Sequence, residues 1–85
     1  MDRKTYKLLY REFLSKLIQA RKEAKLSQAD VARLLEKPQS YISKCESGER
    51  RVDIVELQIF SSIYNKPLTF FQIEIPTSKC DRKEN

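Results

Sequence analysis

The chain has 85 residues, a length that predicts a single domain whose core is small but large enough to fold without disulfides. Its 17 lysines and arginines outnumber 12 aspartates and glutamates, and the net charge of +5 favours a polyanionic partner such as nucleic acid or an acidic membrane surface. With no histidine and only two cysteines, the chain cannot assemble a Cys/His zinc site or a histidine-based catalytic site, so we predict no enzyme activity, metal or cofactor.

The cysteines and the hydropathy of the chain indicate a cytoplasmic protein. We interpret Cys45 as a small core residue and Cys80 as a free thiol, because secreted disulfide scaffolds have a much higher cysteine density. The N-terminus lacks the apolar core of a signal peptide, and no apolar run approaches the ~20 residues of a membrane-spanning helix. A reducing cytosol fits these features best.

A long amphipathic helix is predicted from about Thr5 to Ala24. Its apolar residues recur with a helical period, and basic residues occupy the other faces. The apolar residues are Tyr6, Leu9, Tyr10, Phe13, Leu14, Leu17 and Ile18. A basic amphipathic helix can also lie on a membrane surface. We interpret this one as a wall of the core, because the short helices that follow cannot bury their apolar faces alone.

Two short helices separated by a tight turn are predicted within residues 27–48. Ser27 is a good N-cap for the first, and Asp30 places an acid near its positive end. Pro38 prevents that helix from continuing but suits the start of a second one, over residues 38–48. Gly48, the only glycine of the chain, falls where the second helix should end in a left-handed conformation.

The second helix of the pair has two contrasting faces. Ile42 and Cys45 form its inner face, whereas its outer face is small, polar and cationic. The outer residues are Ser40, Ser43, Lys44 and Ser47. Short hydroxyl side chains allow the helix to approach DNA closely, and lysine or a glutamine amide can bind base edges or phosphates. This chemistry predicts a DNA-recognition helix.

A fourth helix and a fifth helical turn are predicted after the basic loop of residues 49–51. Asp53 and Glu56 form a capping signal, and Asn65 suits the helix end because it tolerates left-handed geometry. The fifth turn follows Pro67. Residues 72–75 then alternate like a strand, which indicates either a tail packed on the domain or pairing with a second subunit.

The pattern from Ser27 to Gly48, with Arg21 before it and Arg50 and Arg51 after it, resembles the helix-turn-helix of Cro/C1-type (XRE) bacterial and phage regulators. The resemblance extends from about Leu17 to Phe71. It implies an all-α, five-helix lambda-repressor-like DNA-binding domain, here over residues 1–76, with a short extended C-terminal tail; residues 77–85 are predicted to be polar and disordered. One departure is Glu36, which stands where the family usually has a glycine in the turn.

Arg21 and Glu46 both follow apolar residues at helical spacing, so each is expected on or beside a buried face. Because a lone buried charge is costly, we predict a salt bridge between them; the alternative is two solvated charges. The family resemblance implies the same pair.

The predicted DNA contacts fall into two groups. Gln39, Ser40 and Lys44 are assigned to base edges, as the resemblance also implies for the early and middle turns of a recognition helix. Contacts to the phosphate backbone are assigned to Gln28, Tyr41, Ser43, Arg50 and Arg51.

We therefore predict a sequence-specific, dimeric DNA-binding regulator, and a repressor because no separate sensing or activating domain is evident. The expected dimer interface is the apolar C-terminal stretch of Leu68, Phe70, Phe71, Ile73 and Ile75. Three alternatives remain: an antitoxin that also binds a toxin, a restriction-modification controller, and an interaction module that does not bind DNA.

Overall fold

The computed structural model describes residues 1–76, and this part of the chain is entirely helical apart from its connections. The four α-helices are α1 (Arg3–Glu23), α2 (Gln28–Leu35), α3 (Gln39–Ser47) and α4 (Ile54–Tyr64). The fifth helical turn predicted after Pro67 is one turn of 3-10 helix, Leu68–Phe71, so the described residues contain four α-helices and the count of five is not confirmed. The predicted disordered segment 77–85, with Cys80, lies outside the described residues.

Short polar side chains fix where three of the helices begin. Asp2 accepts a hydrogen bond from the Thr5 amide at 2.8 Å, so α1 starts two residues before its predicted first residue. At α2 and α4 the cap and the third helical residue exchange hydrogen bonds in complete capping boxes. These pairs are Ser27 with Asp30 and Asp53 with Glu56, which confirms the predicted starts of α2 and α4.

Left-handed residues end α2, α3 and α4. Glu36 has φ of 56°, Asn65 has φ of 57° and Gly48 has φ of 88°. The left-handed Glu36 turns the chain sharply between α2 and α3, and the Lys37 amide then donates to the Ala32 carbonyl at 2.9 Å. Gly48 is also required for space, because a Cβ atom there would lie 2.9 Å from Leu14 Cδ1.

The core lies between α1 and the inner faces of the other helices. Leu17 of α1, Ile42 of α3 and Phe60 of α4 are fully buried in it. Cys45 is buried beside them on the inner face of α3, as predicted. Phe71 is only 4% exposed and packs against Phe13, so it belongs to the core of its own domain. The 3-10 turn points this ring inward, and Phe71 also lines the apolar groove beside Ile73 and Ile75, so its place in the dimer interface stays a prediction.

A buried ion pair links α1 to α3. Arg21 Nε lies 2.6 Å from Glu46 Oε2, and a second guanidinium nitrogen lies 3.1 Å from Glu46 Oε1. The two side chains are only 11% and 5% exposed. Arg21 also donates to the Leu26 carbonyl at 3.0 Å, and its hydrogen bond to Glu46 raises the pKa of the guanidinium. The pair therefore fixes α3 against α1.

Removing either member of this pair should destabilise the fold strongly. We expect Arg21→Ala or Glu46→Ala to lower the free energy of unfolding by about 3 to 5 kcal/mol, because the remaining buried charge has lost its partner. The double variant should cost less than the sum of the two, as measured by urea denaturation in a double-mutant cycle. Arg33→Ala is the control, because its pair with Asp30 is exposed and its loss should change little. A coupling energy of zero between Arg21 and Glu46 would contradict the prediction.

Replacing Glu36 by glycine should stabilise the domain. The left-handed φ of 56° is costly for a residue with a Cβ atom, so glycine removes strain from the folded state. Glycine also gives the unfolded chain more conformational freedom, which offsets part of this gain. We expect the free energy of unfolding to rise by a net amount of about 0.5 to 1 kcal/mol. Gln58→Gly, at an exposed position within α4, is the control and should cost about 1 kcal/mol. Thermal unfolding of both variants measures the difference, and a loss of stability in Glu36→Gly would be the opposite result.

Candidate nucleic-acid interface

The outer face of α3 is the part of the structure that presents polar groups in the pattern a DNA groove requires. Gln39, Ser40, Ser43 and Lys44 are all exposed on it. The inner residues of α3 are buried in the core, so its rotation about its own axis is fixed. The only acid in α3, Glu46, is buried and paired, which leaves the outer face without negative charge.

A chain of hydrogen bonds runs from the buried ion pair to the start of α3. Gln28 Nε2 donates to Glu46 Oε1 at 2.9 Å. The side-chain oxygen of Gln28 accepts from Gln39 Nε2 at 3.3 Å. In the structure the side chain of Gln28 connects Arg21 and Glu46 to Gln39, and its role as a phosphate ligand stays a prediction. The side-chain amide of Gln39, at the exposed start of α3, is thereby oriented by the scaffold.

Tyr41 lies at the edge of the interface and its hydroxyl is already engaged. It donates to Glu56 Oε2 at 2.7 Å, while the Tyr41 ring packs against the core. Burial and the hydrogen bond to Glu56 raise the pKa of the Tyr41 hydroxyl to about 12, so it stays protonated at neutral pH. Lys37 Nζ lies 5.1 Å from the centre of the same ring. Tyr41 therefore positions cations rather than presenting a free hydroxyl.

Arg50 shares this cluster. Its guanidinium nitrogen lies 2.7 Å from Glu56 Oε2, and its Cζ lies 4.7 Å from the centre of the Tyr41 ring. Burial alone would raise the pKa of Glu56, but hydrogen bonds from the Asp53 amide, Tyr41 and Arg50 lower it overall. Part of the charge of Arg50 is thus neutralised within the domain.

Arg51 points to the opposite side of the α3–α4 loop and lies against α1. Its guanidinium donates to the Tyr6 hydroxyl, and its Cζ lies 5.0 Å from the Tyr6 ring centre and 4.8 Å from that of Tyr10. The Tyr10 hydroxyl accepts from the Val52 amide at 3.0 Å and secures the loop. Tyr6 and Tyr10 of the first turns of α1 therefore hold the guanidinium of Arg51. The same turns also line an apolar groove with Ile73 and Ile75 of the C-terminal segment.

Sequence reasoning missed these supporting residues. Tyr6 and Tyr10 are spaced by four positions, which predicted that they share a face of α1, but no local signal connects them to a loop some 40 residues later. The contacts of Tyr6 and Tyr10 depend on how α1 packs against the α3–α4 loop, so the pattern along the chain could not reveal them. The contact of Lys37 with Tyr41 is local, and the spacing of four residues is the signal that could have found it.

Other kinds of site find little support in the described residues. Within residues 1–76 no cluster of acidic residues and cysteines is arranged to hold a metal ion. None of the helices there is long and apolar enough to cross a membrane. Burial raises the pKa of the Cys45 thiol, as expected for a core cysteine rather than a reactive one.

Comparison with known proteins agrees with this geometry. A protein-family model described as helix-turn-helix matches residues 17–71, which is more than half of the chain. Neither the curated proteins nor the solved structures provide a significant match. The family match begins within α1 and ends at the 3-10 turn, so it contains the buried ion pair, α2, α3 and the basic loop. The chain belongs to the Cro/C1-type (XRE) helix-turn-helix family of DNA-binding transcriptional regulators.

Proposed function

We propose that this protein is a sequence-specific repressor that binds a pseudo-palindromic operator as a homodimer and reads each half-site with α3. The observation that carries the proposal is the outer face of α3, which is polar, cationic and free of acid. A recognition helix inserted in the major groove needs this chemistry. Repression is the simplest consequence, since a dimer bound over a promoter occludes it.

The contacts of each residue support a division of roles. Gln39, Ser40 and Lys44 are exposed on α3 and are proposed to read base edges. Ser43 and Arg51 are proposed to bind phosphates directly. Gln28, Tyr41 and Arg50 have partners within the domain, so we propose that they bind the backbone only in part and mainly position their neighbours.

Binding to duplex DNA should depend steeply on salt. Each neutralised phosphate contributes a slope of about −0.9 to log K against log salt, so several contacts should give a slope of several units. Fluorescence anisotropy measures this slope at a series of salt concentrations, with a labelled duplex selected for binding from a random library. An affinity that is indifferent to salt would remove the proposal.

Base-reading and phosphate-binding residues should respond differently to substitution. Gln39→Ala or Lys44→Ala should cost about 1 to 3 kcal/mol of binding at particular base pairs and relax the preference there. Arg51→Ala should weaken all sequences alike. Selection of bound sequences from a random library, repeated for each variant, separates the two effects. If Gln39→Ala left the preference intact, the assignment of Gln39 to a base edge would be wrong.

The dimer proposal is supported by apolar surface that the domain leaves uncovered. Leu68 and Ile75 are exposed, and Ile73 and Ile75 line an apolar groove of about 490 Å³ beside the first turns of α1. A second copy placed there would relate two α3 helices by a twofold axis, about 34 Å apart for successive major grooves.

A double substitution on this surface should abolish dimerisation. Leu68→Asp with Ile75→Asp places charges in the proposed interface without changing the buried Phe71, and sedimentation should show a monomer where the unaltered protein is a dimer. The control is the double variant Val55→Asp with Ile59→Asp. It changes a different exposed apolar patch, formed with Leu34 of α2, and this variant should remain dimeric. The model of the dimer fails if the unaltered protein is monomeric at micromolar concentration and binds a half-site as well as a full palindrome.

The patch of Leu34, Val55 and Ile59 favours a second candidate function, an antitoxin that binds its operator and a toxin. Leu34 and Val55 are each 60% exposed, which is unusual for neighbouring apolar residues and typical of a protein-binding surface. The double variant Val55→Asp with Ile59→Asp distinguishes a repressor from an antitoxin. Toxin neutralisation would be lost in an antitoxin, whereas operator binding would persist in both cases.

A further inference from the structure

A cleft with a volume of about 470 Å³ lies between the first turns of α1 and the α3–α4 loop. Polar side chains line it from both sides: Lys7, Arg11 and Ser15 from α1, and Glu46, Ser47 and Arg51 from the end of α3 and the loop. We refer to it as the cationic cleft. Gly48 makes it narrow, since the absence of a side chain there lets the loop approach Leu14 closely.

The positive charge of the cationic cleft is not neutralised by the domain. Within the described residues, Lys7 and Arg11 have no ion pair, and Arg51 is held by the two tyrosines rather than by a carboxylate. Glu46 is the only acid among the described residues that line the cleft, and its carboxylate is occupied by Arg21 and Gln28. Three cations that converge without a counter-charge attract an anion.

The two tyrosines hold the third cation in place. Tyr6 and Tyr10 lie beneath the guanidinium of Arg51, and Tyr6 accepts a hydrogen bond from it. These rings restrict the side chain of Arg51 without neutralising its charge. Binding an anion therefore costs less side-chain conformational entropy. Lys7 and Arg11 follow each other at i and i+4 and therefore share one face of α1.

The cationic cleft is continuous with the outer face of α3. Ser47 lines the cleft and lies one turn beyond Lys44, to whose carbonyl its hydroxyl donates at 3.2 Å. The cleft therefore borders the surface on which Lys44 is exposed. The family match begins at residue 17, after the four residues of α1 that form one half of the cleft, so this half is additional to the family pattern. The four residues are Tyr6, Lys7, Tyr10 and Arg11.

We propose that the cationic cleft binds a phosphate group of the DNA backbone and extends the interface from α3 onto the N-terminal half of α1. The proposal rests on the proposed DNA-binding function and adds a contact that is independent of base sequence. Lys7 and Arg11 supply the charge on one side, and Arg51 supplies it on the other. The footprint on each half-site is thereby lengthened beyond the bases that α3 reads.

The test is the double variant Lys7→Gln with Arg11→Gln in the full chain. It should reduce the slope of log K against log salt by about one unit, because the one lost phosphate contact removes about 0.9. The sequence preference should stay unchanged. Phosphate-ethylation interference should lose one protected position at the outer edge of each half-site.

The matched control is Lys16→Gln with Lys66→Gln, which removes the same charge from the other side of α1, where these lysines contact Gln72 and Glu23. This control should keep the slope and the ethylation pattern of the unaltered protein, and circular dichroism verifies that both variants fold. Equal effects of the two double variants, or an unchanged ethylation pattern in Lys7→Gln with Arg11→Gln, would overturn the cleft proposal alone. Absence of DNA binding by the unaltered protein would instead overturn the proposed function.

Discussion

The buried ion pair between Arg21 and Glu46 is the constraint on which the recognition surface depends. It joins α1 to α3 at 2.6 Å, and Gln28 extends it to Gln39 through two further hydrogen bonds. A buried pair of this kind is weak evidence for stability, because desolvation offsets most of the attraction. Its value here is orientation: α3 has only nine residues, too few to hold its own position, and the pair fixes which face it turns to solvent.

The basic residues of the interface differ in how much charge they retain. Arg50 is paired with Glu56 and stacked on Tyr41, so the domain already uses part of its charge. Arg51, the next residue, lies against two neutral tyrosines and keeps its charge available. The two neighbouring arginines therefore differ in how far the domain neutralises their charge, because one packs against α4 and the other against α1.

The apolar residues at the C-terminal end divide in a similar way. Phe71 completes the core against Phe13, and Lys16 donates to the Gln72 carbonyl at 2.7 Å, so the 3-10 turn is part of the domain. Leu68 and Ile75 remain exposed, and the proposed dimer depends on these two residues. The patch of Leu34, Val55 and Ile59 is a separate apolar surface, and it has no counterpart in the sequence interpretation because Leu34 and Val55 come from different helices.

Much of this fold could be predicted from local chemistry. Residues that begin or end helices act within a few residues of their own position, so caps, turns and helix ends could be predicted from the sequence. These residues are Ser27, Pro38, Gly48, Asp53 and Asn65. The outer face of α3 followed from helical periodicity for the same reason. Tertiary packing alone decided the inward position of Phe71, the link from Gln28 to Gln39, and the seating of Arg51 on Tyr6 and Tyr10. Those contacts join residues from separate elements, and their partners are chosen by the packing of helices and not by spacing in the sequence.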